Sequence, residues 1–314
     1  MAKSWVWGAS ALVLLALTAC ERTPPDPLAE ARAACADAGA EAEARIEACG
    51  ALINSGSLED AERGLALSRR GEATQEAGDV TDALRDYNAA LAIDEANALA
   101  LKGRASIMIA SGQLDAAEPL VQRLLTSGEY AADAHFFVGE IARLRGDSDA
   151  ASAAYDAAIA ADRRYAPALA SRGLIKQNAL DYAGAIEDYN AALSANPQLT
   201  TAMAGRCWAN VLMRDGNLGR ARSDADAAAE ADPRNVEAQL CRGLLQLRAG
   251  EWEAAQASYD AVLEVEPGNP NALFGRGVAR RRGGDNEGRD DMNRARDFEP
   301  HIARAFEDLG VRTY

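Results

Sequence analysis

The chain has 314 residues, with 33 Lys and Arg against 48 Asp and Glu, a formal charge of -15, 2 His and 5 Cys. Hydrophobic residues make up 48% of it, yet 72 residues are alanine and only 5% are aromatic, a composition that favours closely approaching helices over a sheet, whose surface prefers β-branched and aromatic residues. The acidity speaks against a nucleic-acid binder, which needs a basic face for phosphate, and two histidines leave little room for a His-rich metal site or a His-dependent nucleophile.

In chain order, residues 1–19 place Lys3 ahead of an apolar run from Trp5 to Thr18 that closes in small residues. The run is shorter than the roughly 20 apolar residues that span a bilayer core of about 30 Å, so it reads as a removable export signal. Leu17-Thr18-Ala19-Cys20 resembles the lipobox of bacterial lipoproteins. That resemblance implies acylation of Cys20 as the new N-terminus, with palmitate among the acyl chains. Glu21 stands where an Asp would retain such a protein in the inner membrane, so the implied address is the outer membrane, facing the periplasm. The alternative is an ordinary secretory signal and a soluble periplasmic product. Several acyl chains, at about 0.8 kcal/mol per buried CH₂, would make the anchor effectively permanent. Residues 20–27 include Pro24, Pro25 and Pro27 and read as a stiff tether.

Residues 28–63 read as a degenerate helical hairpin, Leu28 to Ala38 and Ala42 to Asn54, turning at Gly39. Cys35 and Cys49 fall on its facing helices, and in an oxidising compartment a bridge between them is expected. Closing a loop of about fifteen residues contributes roughly 3 kcal/mol in the chain-entropy model.

A repeat follows. Small residues stand at Gly71, Ala105, Gly139, Gly173, Cys207, Gly243 and Gly277, at intervals of 34 except for one of 36 between Cys207 and Gly243. A second small position, Ala83, Ala117, Ala151, Ala185, Ala221 and Ala255, precedes by four residues Tyr87, Val121, Tyr155, Tyr189, Ala225 and Tyr259. Offsets of three and four mark one helix face. Glycines between the two helices, among them Gly78, Gly112, Gly146, Gly216, Gly250 and Gly284, are expected to end each first helix in a left-handed conformation. Repeat four departs from this with Leu180-Asp181, and repeat five carries two extra residues near Arg214 to Asn217. Pro197, Pro233, Pro267 and Pro300 close four repeats.

These anchors resemble the tetratricopeptide repeat, over 64–97, 98–131, 132–165, 166–199, 200–235, 236–269 and 270–301. Arg45 to Ile53 followed by a repeat is similar to the opening of a group of proteobacterial proteins of that family. The resemblance implies an all-α fold, a right-handed superhelical solenoid of antiparallel helix pairs, capped by residues 302–314, where Ile302, Ala303, Phe306 and Leu309 form a stripe that Gly310 ends. It also implies that first helices line a concave groove. Carried over residue by residue, the groove candidates are Phe136, Glu140, Leu174, Trp208, Val211, Leu244, Phe274, Val278 and Arg281, an apolar middle with a basic exit. The family's carboxylate clamp is not matched, because Glu72, Ser106, Glu140, Leu174 and Trp208 occupy its Asn place.

Cys207 and Cys241 lie on first helices of successive repeats at non-equivalent places and read as buried small hydrophobes, a disulfide being the alternative. Carboxylates read as exposed and solubilising. The arginines at 280–282, 289, 294 and 296 read as a solvated face paired with Asp285, Glu287, Asp290 and Asp291, with an acidic-partner patch as the alternative. No catalytic, nucleotide or zinc motif is present, so no cofactor and no metal are expected. The reading is a scaffold without chemistry of its own, binding a protein or peptide through an apolar anchor segment with Trp208 as its leading hot spot, and binding no nucleic acid. A self-associating structural envelope protein is the alternative, an enzyme the remote one.

Overall fold

The computed structural model describes residues 28–313, and within them the chain is entirely helical. The expected signal, the Cys20 acylation site and the tether to residue 27 lie outside the described residues. An N-terminal hairpin, α1 (Ala29–Ala36) and α2 (Ala42–Asn54), leads into seven further helix pairs. The first four are α3 (Asp60–Glu76) with α4 (Val80–Ile93), α5 (Ala98–Ala110) with α6 (Leu114–Ser127), α7 (Ala131–Leu144) with α8 (Ser148–Ala161), and α9 (Ala166–Asn178) with α10 (Tyr182–Ala195). Then come α11 (Thr200–Leu212) with α12 (Leu218–Ala231), α13 (Val236–Ala249) with α14 (Trp252–Val265), and α15 (Pro270–Arg282) with α16 (Gly288–Phe298), before the short closing helix α17 (Ile302–Asp308). Each helix packs on its hairpin partner and on the next pair, so the core is a row of stacked interfaces.

Local chemistry sets the boundaries. Asp79, Asp147, Asp181 and Asn217 cap the second helices α4, α8, α10 and α12, and Asn97, Asn235 and Asn269 cap the first helices α5, α13 and α15, each side chain accepting from the amide three residues on. Gly78, Gly112, Gly146, Gly250 and Gly284 take positive φ between 73° and 94°. Gly216 differs from expectation. The two extra residues of repeat five press it against the Asn210 carbonyl instead, while Asn210 Oδ1 accepts from the Asn217 amide, so the turn is built by a side chain rather than by a left-handed glycine. In repeat four Leu180 itself adopts φ 64°, and it is 72% exposed.

The recurring tyrosine is a wedge between repeats. A Cβ on Gly71 or on Gly103 would meet the ring of Tyr87, one on Gly173 or Gly205 the ring of Tyr189, and one on Gly243 or Gly275 the ring of Tyr259. Each ring is thus held between the glycine of its own first helix and a glycine of the next one. Where the ring is missing, the flanking positions change. Beside Val121 the equivalent of Gly103 is Phe137, and the two share one core cluster. Beside Ala225 both flanking positions are cysteines, and they are bonded. Cys207 and Cys241 form a disulfide with Cα atoms 6.5 Å apart, which corrects the expectation of free buried thiols. Cys35 and Cys49 are also joined, with Cα atoms 4.8 Å apart.

Four carboxylates expected on exposed faces are buried. Asp86, Asp188, Asp224 and Asp291 each receive a two-pronged hydrogen bond, 2.6 to 2.9 Å, from Arg70, Arg172, Arg206 and Arg276 of the paired first helix. Arg172, Arg206 and Arg276 extend a further nitrogen to Asp156, Asn190 and Asp260 on the preceding second helix, so one guanidinium ties three helices. In the C-terminal arginine run, Arg280 pairs with Asp285 and Asp291, two of the acids expected to face it, and is half-buried, while Arg281, Arg282, Arg289, Arg294 and Arg296 are exposed. At the other end Arg45, 2% exposed, docks the N-terminal hairpin onto Glu72 and Glu76 of α3.

Candidate functional site

First helices α7, α9 and α11, with the start of α13, enclose a cavity of about 610 Å³. Its apolar wall comes from Phe136, Pro167, Ala170, Leu174, Leu199 and Trp208. Phe136 is fixed by the rings of Tyr155 and Tyr165, with centroids 5.9 and 5.6 Å away. Trp208 is half-buried, and its indole Nε1 donates to the Glu237 carbonyl at 3.1 Å, which anchors the ring at the junction of two repeats. Leu174 stands 38% exposed between them. An exposed aliphatic side chain flanked by immobilised rings is a surface ready to take an apolar group.

The polar wall is of two kinds. Glu140 accepts from Arg143 (2.6 Å), the Tyr155 hydroxyl (2.6 Å) and Ser171 Oγ (3.2 Å), so this carboxylate is ion-paired and held in place. Burial first, and then the Glu140 hydrogen bond, push the Tyr155 phenol above its ordinary pKa. The remainder is amide and hydroxyl: Gln177, Asn178, Asn235 and Thr201. Such groups both donate and accept, as a peptide backbone requires. At the rim, Glu237 has its carboxyl pKa raised by desolvation and by the Glu266 charge, with Trp208 opposing.

Four of the expected groove residues, Phe136, Glu140, Leu174 and Trp208, meet at this cavity. Four others do not. Val211, Leu244, Phe274 and Val278 are buried in the C-terminal core cluster. For Phe274 and Val278 on α15 the reason is the closing segment: Ile302, Phe306 and Val311 join that cluster, and the Phe306 ring lies 4.9 Å from that of Phe274, whereas Val211 on α11 and Leu244 on α13 lie where successive first helices pack together. The basic exit is likewise redirected. Arg281 is exposed at the end of α15, its stem beside the start of α16 rather than in the cavity. Sequence reasoning missed Ser171, Leu199, Thr201, Asn235 and Glu237, most of which sit at the starts of first helices or just before them. Their signal is positional, since each repeat's entry turn stands beside the preceding first helix. Among the described residues no group of three or more His, Cys, Asp and Glu side chains could hold a metal ion.

Comparison with known proteins agrees with this architecture. Profiles described as tetratricopeptide repeat match residues 109–166, 208–255 and 242–288, and, in a second version, 75–135. No curated protein matches significantly. Among solved structures, one described as a functional characterization of pilF of Pseudomonas aeruginosa covers 69% of this chain and 97% of its own at 17% identity, with a TM-score of 0.56. The Cut9–Hcn1 hetero-tetramer of the APC/C covers 80% of this chain and 48% of its own at 14% identity, with a TM-score of 0.59. At these identities the likeness is one of fold.

Proposed function

The chain is a member of the tetratricopeptide-repeat family, and on that premise we propose that it is a non-enzymatic adaptor or assembly factor, lipid-anchored through Cys20 to the outer membrane and facing the periplasm. Its working surface is the cavity around Trp208, which takes an apolar anchor segment of a protein partner. One observation carries the binding role: the stack brings Phe136, Leu174 and Trp208 to one open cavity that is also lined by the amides and hydroxyls of Gln177, Asn178, Asn235 and Thr201. A flat wall of rings and an aliphatic side chain recognise the anchor, and the amides hold the backbone on either side of it.

Two features support the address. The lipobox-like Leu17-Thr18-Ala19-Cys20 follows an export signal, and all four remaining cysteines are paired, as suits a chain that folds outside the reducing cytosol. Fatty-acid labelling of the full chain and of Cys20→Ser, followed by membrane fractionation, tests the anchor: the label and the membrane pool should both vanish in the variant. A photo-crosslinking residue at position 174 tests the partner. It should yield a discrete protein adduct that a crosslinker at Phe298, an exposed residue outside the cavity, does not give.

A further inference from the structure

Residues 302–313 do more than cap the last repeat. Ile302 and Phe306 lie four apart on α17 and share one face, and Val311 follows the left-handed Gly310 (φ 83°). All three are buried with Leu240, Leu244, Leu247, Phe274 and Val278. Arg282, at the end of α15, donates to the Arg312 carbonyl, and Gly310 passes beside the Arg248 guanidinium at the end of α13. The segment therefore reaches back across α15 to the first helix of the preceding repeat. Of the pair before it, each earlier first helix packs more on the second helix than on the first, whereas α17 touches α15 at least as much as α16.

The surface it covers continues the cavity. Trp208 lines the open part and also packs against the covered cluster. The row of first helices is thus one groove, open over α7 to α11 and occupied over α13 and α15 by the chain's own C-terminal segment. That occupant is short: α17 has seven residues and no side-chain cap at its start, less than an isolated helix needs to persist. The covered repeats have ties of their own, the Tyr259 wedge and the Arg276–Asp291 pair.

We propose that residues 302–313 are a displaceable self-ligand, an autoinhibitory strap over the α13–α15 stretch of the groove. The partner that fits this stretch carries the same chemistry, a short amphipathic helix with an aliphatic and an aromatic anchor four residues apart. Anchored against Trp208, it gains the second half of the groove only by lifting the strap. Displacement by an external partner rests on the cavity reading given above; the self-ligand does not.

A fluorescent synthetic peptide of residues 300–314 is the probe, added to the full mature chain and to its Val311→Asp and Phe306→Ala variants. The expected result is at least tenfold tighter binding to the variants than to the parent, whose site is already filled. Hydrogen exchange on the same samples should show α17 losing protection while α13 to α16 keep theirs. Absence of peptide binding to both variants would overturn the proposal, and so would loss of protection spreading through α15 and α16, because the segment would then be an integral part of the last repeat. The probe is the chain's own sequence, so neither outcome depends on whether the Trp208 cavity has a partner.

Discussion

Cys207 and Cys241 are bonded across two successive first helices at the two positions that elsewhere hold a tyrosine ring between them. The ring of repeat five is reduced to Ala225, and the disulfide occupies its place in the core. A steric wedge has been exchanged for a covalent tie at the same joint. Removing the bond with Cys207→Ala and Cys241→Ala should cost up to about 4 kcal/mol, the chain-entropy value for a loop of this length. Rebuilding the wedge as Cys207→Gly, Cys241→Gly and Ala225→Tyr should recover a good part of it. Urea unfolding of the three proteins measures both steps, and a triple variant no more stable than the Ala pair would refute the equivalence.

The wedge also predicts where a single methyl is harmful. A Cβ on Gly103 or Gly275 falls within the ring of Tyr87 or Tyr259 of the preceding repeat, and neither ring has space to withdraw because both are fully buried. Gly103→Ala and Gly275→Ala should each destabilise by about 1 to 3 kcal/mol through overpacking. Thermal unfolding followed by circular dichroism reads the loss.

Arg206 and Asp224 form a buried pair, with side chains 11% and 8% exposed and two bonds of 2.7 Å. Arg206→Met alone strands a buried carboxylate and should cost about 3 to 5 kcal/mol, while Arg206→Met with Asp224→Leu should restore most of the loss. A double-mutant cycle in urea is the measurement. Equal losses for the single and double variants would mean that packing by the arginine stem, rather than its charge, holds the joint.

Leu180 is held at φ 64° with nearly three-quarters of its surface in solvent. A left-handed conformation costs a side-chain-bearing residue about 1 to 2 kcal/mol, and little packing opposes its removal. Leu180→Gly should therefore raise the unfolding midpoint, by an amount corresponding to about 1 kcal/mol. A lowered midpoint would show that the leucine makes a stabilising contact its exposure does not suggest.

The repeat unit was legible because its determinants are local and periodic: the small positions, the tyrosines and the glycine turns stand at fixed spacing. The joints were less legible because each is made by residues that are not equivalent. Cys207 and Cys241 differ in register by two, and only a ring seen to touch both positions reveals them as neighbours. The Arg–Asp straps carried a readable signal, an Arg immediately before the small position at Arg70, Arg172, Arg206 and Arg276 and an Asp immediately before the ring position at Asp86, Asp188, Asp224 and Asp291. A reading of carboxylates as surface charge passes over it. The groove was half legible. Phe136, Glu140, Leu174 and Trp208 follow from repeat position, but Phe274 and Val278 occupy equivalent faces and are buried with a segment outside the repeat, which periodicity does not describe.

The most direct test of the central claim is a binding titration on the mature chain, with a peptide selected from a displayed library against the wild-type protein. The peptide should carry an apolar anchor, and Trp208→Ala should weaken it by about thirtyfold, the equivalent of a hot spot of about 2 kcal/mol. Leu174→Asp should act in the same direction and Phe298→Ala should not. Unchanged affinity in Trp208→Ala, with the protein still folded, would contradict the assignment of the cavity as the site where this scaffold holds its partner.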